Sequence, residues 1–242
     1  MYDPIEPANR LVFAVNETLD IFILQPTAYV YKEAVPDPVR DMVRNFLDWL
    51  KSPVILANDL FQRDWKAAEV TVSRFVANAP FFGFVDNASG LGLAQREEDF
   101  GQTLGVYGVG DGPYIVLPIL GPSNVRDTVG LVVDQFLDPI NYARGGDPLD
   151  TEDDVSKFQI GRRIVGAVDF RARNFEAINE LKETSVDYYA RVRTIYKQRR
   201  EAQINNGRSP AGASRPSSSG EFDQYVPGGQ PAERRGTASP SS

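Results

Sequence analysis

The sequence predicts a mainly α fold, with one helical domain over residues 1–206 that contains a Gly/Pro-rich irregular segment. Three observations predict this class: apolar residues recur at helical spacing, capping residues precede those stretches, and breaker residues concentrate between Asp99 and Asp127. From about Gly207 the chain is almost entirely Ser, Pro, Gly, Ala and charged residues. Residues 207–242 are therefore predicted to be a disordered low-complexity tail.

The first predicted element, Leu11–Leu24, is unusually apolar. Ten of its fourteen residues are apolar, and they point around much of a helix that only Asn16, Glu17, Thr18 and Asp20 interrupt. At 1.5 Å per residue this helix would be about 21 Å long, too short for a hydrocarbon core of roughly 30 Å. The segment suits burial within protein or contact with the acyl tails of a single leaflet.

Capping signals predict four further helix starts. They are Asp37 with Pro38, Ser52 with Pro53 before VILANDLFQ, Asp64 before WKAAEVTVSRFVANA, and Ser123 before NVRDTVGLVVDQFL. The longest predicted helix begins at Thr151, with Asp154 three residues on as in a capping box, and runs to about Lys182 unless Gly161 or Gly166 breaks it. A last helix is predicted near Val186–Gln203.

The segment Asp99–Asp127 has a different character, with six glycines and three prolines. Because helix interiors tolerate few such breakers, it predicts irregular loops with one short strand or hairpin in YIVLPIL. Its glycines do not form a dinucleotide or Walker phosphate loop, since Pro113 and a strand-like run follow where a helix is required. The glycines are better explained by tight turns and close backbone packing.

Composition excludes several classes of function. The chain has neither cysteine nor histidine, which removes disulfides, Cys/His zinc sites, thiol nucleophiles and triads with a histidine base. A net charge of −7 argues against a nucleic-acid partner. Basic residues gather at Arg162–Arg173 and Arg191–Arg200, which predicts either a solvated helix face or contact with lipid headgroups or an acidic partner.

No residue pattern argues for catalysis. The carboxylate runs Glu97–Asp99 and Glu152–Asp154 are predicted to be structural, and no G-x-S-x-G motif occurs. Hydrophobic side chains in a loop-like context are more unusual: Phe81, Phe82 and Phe84 lie among Gly, Asn and Pro. They suit either a packed corner of the core or insertion into a lipid interface.

These motifs resemble the MlaA/VacJ family of outer-membrane lipoproteins from Gram-negative bacteria. The resemblance covers about residues 3–205 and is most specific between Phe100 and Gly130. The matching positions are Asp3, Pro4, Glu6, Asn9, Arg10, Arg74, Phe75, Asn78, Gly83, Phe84, Asp86, Phe100, Gly101, Thr103, Leu104, Gly105, Tyr107, Gly108, Gly110, Gly112, Pro113, Tyr114, Leu117, Pro118, Gly121, Arg126, Asp127 and Gly130.

The resemblance implies a single helical ring in the inner leaflet of the outer membrane, around an amphipathic channel and beside trimeric porins. It implies removal of phospholipids that have strayed into the outer leaflet, with transfer to a soluble MlaC-like periplasmic carrier. No chemical step and no cofactor are implied. Family members carry a signal peptide and a lipidated Cys before the Asp-Pro motif; this sequence has neither, so we expect a chain truncated near the mature N-terminus.

Residue roles follow as expectations from this resemblance. Asn9, Arg10, Asn16, Glu17 and Asp20 are candidates for the channel wall, because charge is costly against acyl tails. The three phenylalanines are candidates for lipid contact. Arg171 and Arg173 are candidates for phosphate headgroups or, alternatively, an exposed surface pair. The stretch from Gly105 to Pro118 is expected to shape the channel mouth or a flexible loop, and the tail to tether a partner or to have no role.

Two alternatives to lipid transport stay open on the sequence alone. The protein could scaffold porins at the membrane interface without moving lipid, or it could be a periplasmic hydrolase that works through carboxylates. Bound phospholipid in the purified protein favours transport over scaffolding. Turnover of phospholipid to lysophospholipid or fatty acid would indicate the hydrolase.

Overall fold

The computed structural model of the chain describes residues 2–145 and 154–205. Within these residues the fold is mainly helical, which confirms the predicted class. The predicted helix start at Thr151, the carboxylates of Glu152 and Asp153, and the tail over 207–242 lie outside the described residues.

The elements, in chain order, are α1 Glu6–Leu19, a π-helical turn Asp20–Leu24, α2 Gln25–Ala34, α3 Asp37–Phe61, α4 Trp65–Asn78, a 3-10 turn Ala79–Phe81, α5 Asn87–Gly90, α6 Phe100–Val106, β1 Tyr114–Leu117, β2 Gly121–Asn124, α7 Val125–Leu137, a 3-10 segment Pro139–Gly145, α8 Asp154–Arg173, α9 Phe175–Thr184 and α10 Tyr188–Ile204.

The first helical segment is longer than predicted. The segments α1, the π turn and α2 follow one another without a break from residue 6 to residue 34, which makes a rod of about 40 Å rather than about 21 Å. Pro26 does not end the helix. It has no N–H for the carbonyl of Phe22, and the wider turn at Asp20–Leu24 accommodates its ring.

The predicted helix start at Ser52-Pro53 is wrong, because α3 continues through Pro53. A proline inside a helix costs about 3 kcal/mol, and packing of both halves of α3 against α4 offsets that cost. Before the proline, the ring of Trp49 stacks on Phe75 with centroids 5.0 Å apart. After it, Asp59 accepts a 2.6 Å hydrogen bond from Thr71. The α3 N-cap is also one residue earlier than predicted, at Pro36.

The other helix starts follow the capping chemistry, with one shift. Asp64 caps α4 as predicted, accepting from the amide of Ala67 at 3.0 Å. At α7 the prediction of Ser123 as the cap is wrong, and Ser123 pairs with Ile115 in the hairpin instead. The next residue, Asn124, is the cap and accepts from the amide of Asp127 at 2.7 Å.

The predicted long helix breaks at Asn174 rather than at either glycine. Its described part begins at Asp154 and ends at Arg173, followed by α9. The backbone of Asn174 leaves the helical region there, with φ −104° and ψ 26°. Its amide and its side chain both donate to the carbonyl of Phe170, at 3.1 and 2.8 Å. The prediction of one uninterrupted helix up to about Lys182 is therefore wrong. The last predicted helix is confirmed as α10.

The Gly/Pro-rich segment contains the predicted hairpin, β1 paired antiparallel with β2. It also contains α6, a helix that its glycine content argued against. Asp99 caps α6 by accepting from the amide of Gln102 at 2.8 Å. The glycines permit a close approach of α6 and α7: a Cβ on Gly130 of α7 would lie 2.3 Å from the nitrogen of Gly101.

The hydrophobic pattern is inverted relative to an ordinary globular protein. Among the described residues, nine hydrophobic side chains are buried against eighteen polar or charged ones. The buried polar residues include Asn58, Asp59, Glu98 and Thr103, which join α3, α4 and α6 through hydrogen bonds. Burial raises the pKa of Asp59 and of Glu98.

The apolar side chains lie instead on the outside. Large exposed examples lie on α1, the π-helical turn, α2, α4, α7 and α8, in the loop after α4 and in the hairpin turn. They are Leu11, Phe22, Ile23, Val30, Val76, Phe82, Ile119, Val132 and Ile164. Phe22 is 76% exposed and Ile119 is 82% exposed. Nevertheless, among the described helices none combines the length and the apolar character that crossing a membrane requires.

Candidate functional site

A cavity lined by many charged side chains lies between α3, α8, α10, the hairpin turn and the loop before α6. Its volume is about 690 Å³. Six cationic and four acidic side chains line it, together with a few apolar ones: Arg44, Lys51, Arg162, Arg163, Arg173, Arg199, Asp48, Asp86, Glu97, Asp169, Leu47, Leu120 and Phe170. We call it the basic cavity.

A second cavity of about 330 Å³ adjoins the first. Lys51, Glu97, Arg162 and Arg163 line both, so the two spaces meet at these four residues. Further carboxylates line the second cavity: Glu98, Asp99, Asp134 and Asp138. We call it the acidic cavity. The basic cavity has more cations than carboxylates and the acidic cavity more carboxylates than cations, and we refer to the two cavities together as the polar passage.

Most cations of the basic cavity are neutralised by a neighbour. Their ion pairs are Arg44 with Asp41 at 2.8 Å, Lys51 with Asp48 at 3.0 Å, Arg162 with Asp138 at 2.7 Å, Arg173 with Asp169 at 2.9 Å, and Arg199 with Glu97 at 2.9 Å. Arg163 differs. Within the described residues it has no carboxylate partner, and it donates instead to the side-chain oxygen of Gln135.

One carboxylate of the acidic cavity, that of Asp134, has no cationic partner among the described residues. Asp134 accepts from Asn58 at 2.9 Å and from the amide of Phe100 at 3.1 Å, but no cation pairs with it in the described part of the chain. Burial raises the pKa of Asp134 to about 6, despite these two hydrogen bonds. Its neighbours Glu98, Asp99 and Asp138 all have arginine partners.

A buried charged network supports the wall beside the acidic cavity. Arg200 donates to Asp99 at 2.6 and 2.9 Å and lies 2.8 Å from an oxygen of Asp127. Asp127 also accepts from Tyr196 at 2.5 Å. Burial raises the pKa of Asp127, but the contacts with Arg200 and Tyr196 outweigh it, so the pKa lies below its ordinary value.

The wall candidates on α1 fasten other parts of the fold. Asn9 and Asn16, two helical turns apart, both bind the hairpin: Asn9 bonds the carbonyl of Tyr114 and the amide of Val116, each at 2.9 Å. Asn16 bonds the carbonyl of Leu117 at 2.9 Å and the amide of Ile119 at 2.8 Å.

The charged candidates on the same segment pair with later helices. Arg10 bonds Asp187, at 2.6 Å for the shorter contact. Asp20 accepts from Arg171 at 2.9 Å and from Lys182 at 2.8 Å, while Glu17 lies 3.9 Å from Lys182. None of the five α1 candidates is among the residues that line the two cavities. Their place on a channel wall stays a prediction.

The arginine candidates on α8 separate into two kinds. Arg171 is 2% exposed and bonds Asp20 and Asn179, so the alternative of an exposed surface pair is wrong for it. Arg173 pairs with Asp169 and lines the basic cavity. The arginine clusters as a whole are not simply a solvated face, because several members join helices far apart in sequence, among them Arg171, Arg193 and Arg200.

The three phenylalanines lie on an exposed loop after α4 rather than in a core corner. Phe81 is 54% and Phe82 69% exposed. Phe84 stacks on Phe46 with ring centroids 4.8 Å apart. Arg74, on α4, fixes the loop because it donates to both carboxylate oxygens of Asp86, at 3.0 and 3.1 Å. A fixed loop thus presents apolar rings outward.

The family-motif residues shape the hairpin region. Gly105 lies in α6, where a Cβ would lie 2.7 Å from the side chain of Ile204. Gly108 and Gly112 have positive φ, of 82° and 68°, between α6 and β1. Tyr107 donates to the carbonyl of Phe61 at 2.5 Å, and Gly110 and Pro113 continue the connection to β1. Tyr114 is fully buried, Pro118 lies in the hairpin turn, and Arg126 bonds Asp127 at 3.0 Å.

Sequence reasoning missed the residues that line the passage. Lys51, Arg163, Asp134 and Asp138 were not singled out, although Arg163 lies inside a recognised arginine cluster. A sequence signal existed only for that cluster. The others are spread over three elements, and only the fold brings them together.

Comparison with known proteins gives a consistent result. The family model described as "MlaA lipoprotein" matches residues 1–203. A protein of Rickettsia felis is 33% identical over 207 residues, which is 84% of this chain and 78% of that protein. The "Intermembrane phospholipid transport system lipoprotein MlaA" of Escherichia coli is 32% identical over 214 residues, 85% of this chain and 79% of that protein. A solved structure described as "Structural basis for maintenance of bacterial outer membrane lipid asymmetry" is 30% identical, with a TM-score of 0.69, and covers 85% of this chain and 100% of its own.

Proposed function

The chain belongs to the MlaA lipoprotein family, and we propose that it removes mislocalised phospholipids from the outer leaflet of a Gram-negative outer membrane. In this proposal the headgroup moves through the polar passage, and the lipid is handed to a soluble periplasmic carrier. The protein thereby maintains the lipid asymmetry of the membrane. It binds and moves lipid without a chemical step.

The observation that carries the proposal is the inverted distribution of polarity. The described interior contains ion pairs and a charged passage, while the exterior carries large apolar side chains. A water-soluble protein of this size would bury the apolar side chains and expose the charges. A protein that lies among acyl tails and conducts a charged headgroup requires the arrangement found here.

The same distribution supports a position within one leaflet. Backbone N–H and C=O groups that face lipid must form their hydrogen bonds within the protein, as they do in helices. The described helices that carry the exposed apolar residues are not suited to crossing a whole bilayer. Phe22, Val76, Phe82 and Val132 would contact acyl tails. The sequence-based candidates Phe81, Phe82 and Phe84 remain lipid-contact residues in this proposal.

The passage would lower the cost of moving a headgroup. A charged group in hydrocarbon costs several kcal/mol, whereas fixed arginines and carboxylates replace its hydration shell. Arg162, Arg163 and Lys51 stand where the two cavities meet, so a phosphate that passes from one to the other must pass these three cations. Leu47, Leu120 and Phe170 give the basic cavity apolar surface for the attached chains.

The partners follow from this location. In this proposal the protein is an outer-membrane lipoprotein that lies in the inner leaflet, on the periplasmic side. A trimeric porin beside it and an MlaC-like carrier below it complete the proposal. Support for these two partners comes from the family resemblance, and the word "intermembrane" in the name of the Escherichia coli relative fits a soluble carrier.

A matched pair of glycine substitutions on α8 tests the proposal. Gly166 lines the basic cavity, and a Cβ there meets only Leu47 at 3.8 Å. Gly166→Phe therefore obstructs the cavity without a backbone clash. Gly161 lies about one and a half turns away, outside both cavities, and a Cβ added there would meet nothing within 4 Å. Gly161→Phe is the control, with the same loss of glycine.

The measurement is the amount of phospholipid in the outer leaflet of a Gram-negative strain that lacks its own family member. The parent chain and Gly161→Phe should restore a low level, and Gly166→Phe should not. If Gly166→Phe restores the low level of outer-leaflet phospholipid fully, at equal protein level, the proposal that lipid moves through the passage is wrong. That result would favour the scaffold alternative, in which the protein supports porins without moving lipid.

A further inference from the structure

Two side chains of opposite charge face the acidic cavity, and neither is neutralised within the described residues. Arg163 has only the amide oxygen of Gln135 as a partner, and Asp134 has only the donors of Asn58 and Phe100. Both line the same cavity of about 330 Å³. The other cations that line it, Lys51 and Arg162, have carboxylate partners. Its other carboxylates have arginine partners: Glu97, Glu98, Asp99 and Asp138.

Arg163 is suited to a phosphate ligand. Its side chain is exposed and stands at the junction of the two cavities, beside Arg162 and Lys51. A guanidinium offers five donors in a planar fork, and the described contacts of Arg163 use one nitrogen. The remaining donors can bind a phosphate oxygen without breaking an ion pair.

Asp134 is suited to an ammonium ligand. Its carboxylate accepts three contacts from two donors, which leaves acceptor capacity. Burial and the nearby Asp99 both disfavour its charge and raise its pKa, and the more distant Arg200 does not offset them. A bound cation with N–H donors would remove this penalty by stabilising the ionised form.

We propose that Arg163 and Asp134 select the headgroup, so that the preferred substrate is a zwitterionic aminophospholipid whose phosphate binds Arg163 and whose ammonium binds Asp134. This inference rests on the proposed function and names its substrate class. The two charges of such a headgroup are complementary to the two uncompensated charges of the cavity.

Other headgroups match the pair less well. A phosphoglycerol headgroup supplies the phosphate for Arg163 but no cation for Asp134, whose half-buried charge stays unpaired. A choline headgroup supplies a cation without an N–H donor, so it forms no hydrogen bond with the carboxylate. The expected order of binding is ethanolamine above choline, and choline above glycerol.

The test is a competition among lipids. The purified chain is incubated with vesicles that contain phosphatidylethanolamine, phosphatidylcholine and phosphatidylglycerol in equal amounts, then re-isolated, and its bound lipids are quantified by mass spectrometry. The parent should be enriched about tenfold in phosphatidylethanolamine over phosphatidylglycerol, the effect of one charge-assisted hydrogen bond. Asp134→Asn should retain bound lipid but lose most of this enrichment.

Two controls have the same chemistry outside the cavities. Asp154→Asn removes a carboxylate at the start of α8, and Lys157→Gln removes a cation on the same helix. Neither variant should change the amount of bound phospholipid or its enrichment in phosphatidylethanolamine. Arg163→Gln should lower total bound phospholipid several-fold while the ethanolamine preference persists, which gives a second answer should Asp134→Asn fail the circular dichroism check for folding.

The outcomes separate the inference from the proposed function. A folded parent that binds no phospholipid would overturn both. A parent that binds the three lipids equally would overturn the headgroup selection alone, as would Asp134→Asn with the full preference of the parent.

Discussion

Arg200 donates two parallel hydrogen bonds to Asp99, from one guanidinium nitrogen at 2.6 Å and from the other at 2.9 Å. Asp99 is the N-cap of α6, so this contact joins the start of α6 to α10. The same guanidinium lies 2.8 Å from an oxygen of Asp127, in the first turn of α7. One arginine thus holds three helices beside the acidic cavity.

Removal of this arginine should destabilise the fold strongly. Arg200→Met leaves Asp99 and Asp127 without their shared cation, and breaking a buried pair on one side costs about 3–5 kcal/mol. Arg199→Gln, at an exposed neighbouring ion pair, should cost less than about 1 kcal/mol. Denaturant unfolding followed by circular dichroism measures both. Equal losses in the two variants would contradict the role of Arg200.

The same site predicts a loss of stability in acid. The pKa values of Asp99 and Asp127 are lowered in the folded protein, because the contacts with Arg200 outweigh the effect of burial. Their contribution is therefore present above the unfolded value of about 3.9 and is lost as pH falls through the lower folded values. The stability gap between parent and Arg200→Met should narrow below about pH 4. A gap that is constant from pH 7 to pH 3 would rule this out.

Asp134 should show the opposite dependence on pH. Its folded pKa of about 6 lies above the unfolded value, so its contribution to stability is complete below about pH 4 and is lost as pH rises through 6. Asp134→Asn keeps an acceptor for Asn58 and Phe100 without the charge. At pH 7.5 it should melt about 2–4 °C above the parent, the effect of about 1 kcal/mol in a domain of this size. At pH 4.5 the difference should be much smaller; a lower melting temperature at both pH values would refute the assignment.

The two asparagines of α1 should hold the hairpin unequally. Asn9 is 2% exposed, and Asn9→Ala would leave the carbonyl of Tyr114 and the amide of Val116 without their partner, at a cost of about 2–4 kcal/mol. Asn16→Ala, at a partly exposed position, should cost less. Hydrogen exchange at the amide of Val116 should accelerate in the first variant. Unchanged exchange there would show that the hairpin does not depend on Asn9.

The glycine pair between α6 and α7 should tolerate no side chain. Gly130→Ala places a Cβ 2.3 Å from the nitrogen of Gly101, which forces the helices apart and costs several kcal/mol. Gly161→Ala, where nothing lies within 4 Å, should instead stabilise the protein by about 0.5–1 kcal/mol. Thermal melting of both variants checks the contrast, and a neutral Gly130→Ala would contradict the close approach.

The exposed phenylalanine loop should contribute to membrane binding. Burial of one phenylalanine in an apolar phase is worth about 1.5–3 kcal/mol, so the double variant Phe81→Asp/Phe84→Asp should lose at least about tenfold in binding to vesicles. Val186→Asp is the control, since that side chain is fully exposed before α10. Flotation with vesicles is the measurement. Equal flotation of the double variant and the control would exclude the loop as a membrane contact.

Local sequence signals predicted much of the fold. Helical spacing and capping residues located most helices, because caps such as Asp64 depend only on residues three positions away. Pro53 and the glycines of α6 misled the same reasoning, because packing against α4 and α7 decides those elements. The break before α9 lies in the backbone angles of one residue, Asn174, and not at the glycines that were expected to break the helix.

The candidate passage was far less predictable. Arg199 and Glu97 are 102 positions apart in sequence, and Arg200 and Asp99 are 101 apart, so only the fold shows that these charges neutralise each other. Knowing which charges are paired is what distinguishes Arg163 and Asp134 from their neighbours. The apolar exterior, by contrast, was visible in the sequence at Leu11–Leu24 and at the phenylalanine loop.

The most direct test of the central claim is the phospholipid content of the purified protein, counted by native mass spectrometry in the parent, Gly166→Phe and Gly161→Phe. The parent and Gly161→Phe should each retain about one phospholipid per chain, and Gly166→Phe none. Lipid lost only through obstruction of the basic cavity would establish that the cavity holds it. The same lipid content in all three proteins, or a folded parent without phospholipid, would contradict lipid transport through this cavity.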